Sequence, residues 1–324
     1  MSRGPIRFRI IAAEEGLSLR QMLPRRFDGL TTQQAGELVK AGGVYLNNVR
    51  VRIPSVRVCE GERVTVYREA LAVETLDPGA LEIVARGPDY AVVVKPSGVP
   101  VAATRVSARG TVSQALIHLL TREGVMRPYV GVVHGLERRA SGLVLFTIRG
   151  QETRSLHAKF RSASCRRTFH ARLEGEAPEL LELDRPVIVS PTGGVRLAKT
   201  GSSGAPVRFR RLAVTTGPGD LVSSLMEVVL ERGPSEQIRL SAEALGFPIA
   251  ELRCEPTRAQ ERHAESAEPI STTGRGPYRG TREGDVATVL ALHAGALDFT
   301  HPSSGARIQA STPAPAWARV NDPA

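Results

Sequence analysis

The sequence predicts an α+β fold in two parts: a small basic unit over residues 8–69 and a larger mixed region over 81–315. Three observations carry this. The first 70 residues show two short helical patterns followed by strand–turn–strand signals. The apolar run Asp89-Tyr90-Ala91-Val92-Val93-Val94-Lys95-Pro96 reads as a buried strand and is followed by a helical pattern over 111–120. Segments 165–174, 206–214 and 222–231 alternate as half-buried strands.

In the first part, Leu19, Met22 and Leu23 stand at helical spacing, and Thr31 or Thr32 is placed to cap a second helix that puts Ala35, Leu38 and Val39 on one face. Val44-Tyr45-Leu46-Asn47-Asn48-Val49 reads as strand, turn, strand, and Arg63-Val64-Thr65-Val66 as a further strand. Residues 70–80 form a linker. In the second part, Val112, Ala115, Leu116 and Leu119 mark one helix face. Val130–His134 and Leu143–Phe146 are strands around a tight Gly-containing segment, and strands close the chain near 287–293 and 306–310. Residues 255–285 are polar and nearly free of large apolar side chains, which predicts a mobile insertion.

Composition narrows the function classes. Lys and Arg total 43 against 33 Asp and Glu, a net charge of +10 that attracts polyanions. Only four of the basic residues are lysines, a ratio that codon bias explains but that leaves the net excess standing. Aromatics make up 4%, too few for a single-strand binder built on rows of stacked rings. No run of about 18 apolar residues suggests a membrane span, and the N-terminus lacks the apolar centre of a signal peptide. Cys59, Cys165 and Cys254 lie far apart, with no C-x-x-C pair, so neither a disulfide framework nor a zinc ribbon is expected, and the cytoplasm is the expected compartment.

The candidate chemistry centres on His134-Gly135-Leu136-Glu137-Arg138-Arg139-Ala140-Ser141-Gly142, where a carboxylate sits in a turn between apolar strands beside two arginines. This segment resembles the signature loop H-R-L-D-x-x-T-S-G of the RluA-type RNA pseudouridine synthases. Other blocks of that family recur in order. They are Val92-Val93-Val94-Lys95-Pro96-Ser97-Gly98, Arg166–Gly175, Glu231-Arg232-Gly233-Pro234-Ser235-Glu236-Gln237-Ile238-Arg239, Leu292-His293-Ala294 and Phe299-Thr300-His301-Pro302. Residues 8–69 resemble the S-four RNA-binding domain through Gly16-Leu17-Ser18-Leu19, Lys40–Asn48 and Gly61-Glu62-Arg63-Val64, with Ser-Leu-Arg standing at 18–20 where that family usually has Arg-Leu-Asp. A generic basic helical hairpin with strands is the alternative for this unit.

The resemblance implies a mixed, largely antiparallel sheet core with a small N-terminal α/β domain. It implies structured RNA, ribosomal or transfer, as the partner, with no small-molecule cofactor, no metal and no membrane. The family's enzymes flip a uridine out of RNA, cleave its glycosidic bond with the help of an Asp, and rejoin the base through C5. By position, Glu137 stands where that Asp would be, Arg239 where an arginine pairs with it, Phe169 where an aromatic ring stacks on the base, and Lys95 in the Lys-Pro block. Arg20, Arg25, Arg26, Lys40, Arg50 and Arg52 are the candidate RNA contacts of the small unit.

Five positions depart from the pattern: Glu137 for Asp, Gly135 for Arg, Phe169 for Tyr, Glu236 for His and Ala140 for Thr. One extra methylene moves a carboxylate by roughly 1 Å, which can lower a rate by about 100-fold. A lost guanidinium at 135 and a second carboxylate at 236 would both raise the pKa of Glu137. The expectation is an RNA-binding family relative with weak or absent isomerase activity. Two alternatives stay open: an active synthase using Glu137, and a basic module for another polyanion.

Overall fold

The computed structural model describes residues 4–161, 165–190, 194–199, 206–217, 220–254 and 287–319. The polar stretch 255–285, read from composition as a mobile insertion, lies outside the described residues. The chain forms two compact units, one of residues up to Asp77 joined by Ala102–Ala115, the other of Pro78–Val101 and the described chain from Leu116 onward.

The first unit contains strand β1 (Ile6–Arg9), helices α1 (Leu19–Arg26) and α2 (Thr32–Lys40), and strands β2 (Val44–Leu46), β3 (Val49–Val51) and β4 (Arg63–Val66). Thr31 is the N-cap of α2. Its hydroxyl accepts from Gln34 N at 3.1 Å while Gln34 Oε1 accepts from Thr31 N at 3.0 Å, a reciprocal capping box. Asn47 and Asn48 both adopt positive φ, 50° and 67°, as the tight β2–β3 turn requires. The sheet order is β1-β4-β2-β3, with Leu19, Met22, Leu23, Leu38, Val39, Val44 and Val64 in its core. Two features exceed the sequence reading. β1 pairs with β4 from far along the chain, and the stretch read as a linker contains short 3-10 turns at Arg68–Ala72 and Pro78–Ala80. Residues 102–115 join this unit through Ala108 N and Ser107 Oγ, which both donate to the Ala41 carbonyl, at 2.7 and 3.2 Å.

The second unit is built on a ten-stranded sheet. Its chain order is β5 (Glu82–Arg86), β6 (Tyr90–Lys95), the larger part of α3 (Val112–Arg122), β7 (Gly131–Val132), β8 (Ser141–Thr147), α4 (Thr153–Arg161) and β9 (Cys165–Glu174). Next come β10 (Leu180–Leu183), the hairpin β11 (Val187–Val189) and β12 (Val195–Leu197), then β13 (Val207–Thr216), β14 (Val222–Leu230) and α5 (Glu236–Ala244). The chain closes with β15 (Glu251–Cys254), β16 (Ala287–Leu290), β17 (Leu292–Thr300) and β18 (Arg307–Ser311). Across the sheet the order is β10-β13-β14-β9-β17-β8-β6-β5, with β18 on β17 and β7 on β8. Of its pairings among the described residues, only β17–β8 is parallel, so the sheet is mixed and largely antiparallel, as the sequence predicts. Tyr90, Val92, Leu143, Leu145, Leu156, Phe160, Leu297 and Phe299 form a core on the sheet.

The parallel pairing depends on one glycine. Gly142 has φ +111°, and a Cβ there would lie 2.3 Å from the Ala294 carbonyl oxygen and 2.5 Å from its nitrogen. Backbone cannot yield as a flexible side chain does, so Gly142→Ala should destabilise the protein by roughly 2–3 kcal/mol. Urea unfolding of the variant checks this; an unchanged midpoint would show that β8 and β17 do not need to approach so closely.

Candidate active site

The loop between β7 and β8 carries Glu137, and its backbone is fixed from several sides. Lys95 ends β6, is 0% exposed, and sends its ammonium to the carbonyls of Pro96 (2.8 Å), Val99 (2.8 Å) and Arg138 (2.9 Å). Gly98 N also donates to the Arg138 carbonyl, at 2.8 Å, and Arg138 Nε returns a bond to the Gly98 carbonyl at 2.6 Å. Ser97 Oγ and Leu290 N hold the next carbonyl, that of Arg139. The Lys-Pro-Ser-Gly block therefore clamps the carbonyls that follow Glu137.

The two ends of the loop are held by imidazoles. His134 Nε2 accepts from Leu145 N at 3.1 Å, its ring stacks on Phe160 at 4.6 Å, and burial pushes its pKa down to about 3. Arg167 covers the same phenyl ring at 5.2 Å. Ser141 Oγ hydrogen-bonds His293 Nδ1 at 2.9 Å, and burial, helped by His170, pushes His293 down to about 4.

Arg239 reaches the loop from α5. Its Nε donates to both Glu137 oxygens, at 3.0 and 3.2 Å, so the structure joins the carboxylate and arginine that the sequence pairs. Its Nη1 lies 3.8 Å from Glu243, one turn later on the helix. The Glu137 side chain is 17% exposed. Desolvation raises its pKa above the usual carboxylate value, and Arg239 pulls the other way. Glu236 adds to the rise and Arg139 opposes it. Arg139 is itself tied to Glu251 at 2.7 Å. The position of the missing loop arginine, Gly135, is exposed, and a Cβ there would meet nothing within 4 Å.

Two other candidates are placed differently from what a substrate-contacting role needs. Lys95 is enclosed by backbone carbonyls and supports the loop from beneath. Burial pushes its pKa down to about 7, while its three carbonyl acceptors favour the charged ammonium. Phe169, 1% exposed, lies on β9 opposite Val228 and Ala294, without an open face for a base. The loop supports Ser97, Gly98 and His293 sit in blocks visible in the sequence, but their contacts are non-local and nothing in the residue pattern announced them.

In the first unit, Arg20 and Arg25 are exposed on α1, and their side chains make no hydrogen bond among the described residues. Lys40 pairs with Glu37 at 3.0 Å, and Arg52 Nε reaches the Lys40 carbonyl at 3.4 Å. The remaining two are largely committed to the fold. Arg26 binds the buried Glu14 and covers Phe8 at 5.3 Å. Arg50 covers Tyr45 at 5.0 Å and donates to its hydroxyl and to the carbonyls of Thr104 and Arg105.

Two protein families and several known proteins match this chain. The RNA pseudouridylate synthase family matches residues 89–244, and the S4 domain matches residues 29–64. An "Uncharacterized RNA pseudouridine synthase" of Chloroflexus aurantiacus is 31% identical over 226 residues, 68% of this chain and 62% of that protein. The "Ribosomal large subunit pseudouridine synthase C" of Yersinia pestis is 26% identical over 94% of this chain and 90% of its own length. The solved structure of "Human RNA Pseudouridylate Synthase Domain Containing 1" aligns with 75% of this chain and 86% of its own, at 17% identity and a TM-score of 0.48.

Two outcomes follow from the site's geometry. Lys95→Met keeps the apolar stem but leaves the Pro96 and Val99 carbonyls without the ammonium and the Arg138 carbonyl with Gly98 N alone, and should lower stability by about 3 kcal/mol, measured by urea unfolding. A loss under about 1 kcal/mol would show that the carbonyls find other partners.

Two imidazoles, buried His293 and half-buried His134, set a pH dependence. His134 and His293 titrate near 3 and 4 in the folded chain against 6.5 when unperturbed. Between those limits the unfolded chain binds more protons, so this contribution to stability rises with pH from about 4 to 6.5. Glu137, raised from 4.5, works in the opposite direction above that value. Thermal melts of wild type and His293→Asn should therefore converge as pH falls through this window; a constant gap would remove His293 from the dependence.

Proposed function

We propose that this chain, which matches the RNA pseudouridylate synthase family over residues 89–244 and the S4 domain over 29–64, binds structured RNA and isomerises uridine weakly or not at all. The observation that carries this reading is the Glu137–Arg239 pair. It reproduces the carboxylate–arginine partnership implied by the family pattern, on a carboxylate one methylene longer and less readily ionised. Each difference works against glycosidic cleavage. The longer side chain displaces the reacting oxygens by roughly 1 Å, and the raised pKa lowers the population of the charged form. The fixed loop backbone, the retained arginine and the basic first unit leave RNA recognition as the function that survives. Ribosomal or transfer RNA is the substrate class we assign, in keeping with relatives whose names specify the ribosomal large subunit.

One observation favours a second reading, in which Glu137 is a working substitute. Both of its oxygens remain on Arg239, which is the partner an ionised carboxylate needs.

Turnover on RNA from cells lacking the gene separates the two. The first reading expects little pseudouridine from wild type and a gain in Glu137→Asp with Gly135→Arg that exceeds the product of the single gains. The open space around Gly135 admits that arginine. Robust wild-type turnover abolished by Glu137→Gln would overturn the first reading in favour of the second.

RNA affinity has its own test. Arg20→Ala and Arg25→Ala should each weaken binding to structured RNA and reduce the salt slope by about 1. Unchanged affinity and slope in both variants would remove α1 from the RNA contact.

A further inference from the structure

The two halves of the Glu137–Arg239 pair come from segments 102 residues apart. Three planar side chains connect those segments. His134, three residues before Glu137, lies flat on Phe160 of α4, with ring centroids 4.6 Å apart and planes 9° from parallel. Arg167 of β9 covers the same phenyl ring, its Cζ 5.2 Å from the centroid. From there Arg167 Nη2 donates to the Gly233 carbonyl at 2.7 Å. Gly233 lies in the turn that launches α5, and Arg239 stands three residues after Glu236, the first residue of that helix. One end of the stack therefore meets the start of the Glu137 loop, and the other holds the foot of the helix that brings Arg239.

The turn is tightly built. Arg167 sits opposite Leu230, the last residue of β14, in the β9–β14 register. Gly233 has φ +87°, and a Cβ there would lie 2.3 Å from Gln237 Oε1. Gln237, 2% exposed, donates to the Arg185 carbonyl through Nε2 at 3.3 Å, and its backbone N donates to the Pro234 carbonyl at 3.1 Å. A shift of the Gly233 carbonyl is therefore passed on to the first turn of α5. Arg167 itself is 3% exposed. Among the described residues no carboxylate is hydrogen-bonded to it, and its Nε has no acceptor. Burial pushes its pKa down to about 10, so the guanidinium stays charged at neutral pH. A buried cation without a carboxylate on it costs stability, offset here by the phenyl face and the one carbonyl.

We propose that Arg167 is a positioning residue: by joining the Phe160–His134 stack to the Gly233 carbonyl, it sets where Arg239 meets Glu137. Arg167 makes no hydrogen bond to either member of the pair among the described residues, so its effect runs through the turn and the helix. Arg239 has little on its own helix to orient it. Its approach to Glu243 is long, at 3.8 Å, and the Glu243 side chain is exposed. The guanidinium therefore follows the foot of α5. The inference concerns the site assigned above, and rests on that assignment only for its consequence in turnover.

The test reads Arg239 directly. In the full-length protein carrying 15N-labelled arginine, the Arg239 Nε–H resonance is assigned by its loss in Arg239→Lys, and its exchange with solvent is measured. Arg172 Nε–H, on the same strand as Arg167 and bonded to the Trp317 carbonyl at 3.2 Å, is the internal control. Arg167→Met removes the guanidinium and should speed Arg239 exchange about tenfold while leaving Arg172 unchanged. Arg167→Lys keeps a cation for Phe160 and a donor for Gly233, and should restore most of the protection. If Arg167→Met does not fold, Phe160→Leu, which removes the ring that His134 and Arg167 share, is read in the same way. Arg239 exchange at the wild-type rate in a folded variant, or a rise of equal size at Arg239 and Arg172, would overturn the proposal. The readout needs no turnover. Robust pseudouridine formation by wild type would overturn the weak-isomerase reading and leave the positioning role standing, whereas unchanged Arg239 exchange would overturn the positioning role and leave that reading standing.

Discussion

The Lys95 ammonium, buried at the end of a central strand and shared among three backbone carbonyls, fixes the loop on which everything at the site depends. One of those carbonyls belongs to Arg138, next to Glu137. A buried ammonium is costly to desolvate unless its donors are used, and here the three acceptors use them. The same interaction explains why two segments over 40 residues apart behave as one structural object. Gly98, Ser97 and Leu290 complete the clamp on the Arg138 and Arg139 carbonyls, while the Glu137 carbonyl accepts from Ala140 N within the loop.

On that backbone the Glu137–Arg239 pair stands, with glutamate where the family resemblance implies aspartate. The carboxylate and its arginine meet, and the carboxylate is a glutamate, partly buried, whose pKa desolvation raises above the usual carboxylate value. A rigid support makes this more consequential. A mobile loop would absorb an extra methylene by shifting, whereas a clamped one transmits the displacement to the reacting oxygens. The retained ion pair and the raised pKa are thus two sides of one balance. Arg239 keeps Glu137 in place, and desolvation with Glu236 limits how much charge it carries there.

The parts legible in the sequence were those with local signals. Thr31 announced the start of a helix, Asn47-Asn48 a tight turn, and alternation the long strands β9, β13 and β14. The Glu137–Arg239 pair was legible only through ordered motifs, since 102 residues separate its members. Helix α5 was not read because it buries Gln237 and Ser241 beside Ile238 and Ala242, which blurs the apolar stripe that marks a helix. The enclosure of Lys95 was equally hidden, because a lysine's three acceptors were backbone atoms brought in by tertiary structure. The attachment of residues 102–115 to the first unit rests on bonds to the Ala41 carbonyl, a non-local contact with no pattern of its own. Arg26 and Arg50 looked like surface cations by position, but Glu14, Phe8 and Tyr45 engage them.

The central claim is that the family scaffold persists with its carboxylate out of place for isomerisation. Mass mapping of pseudouridine across cellular RNA, with and without the gene, addresses it most directly. The account predicts identical maps. A uridine whose conversion disappears with the gene, and returns with the wild-type chain but not with Glu137→Gln, would contradict it.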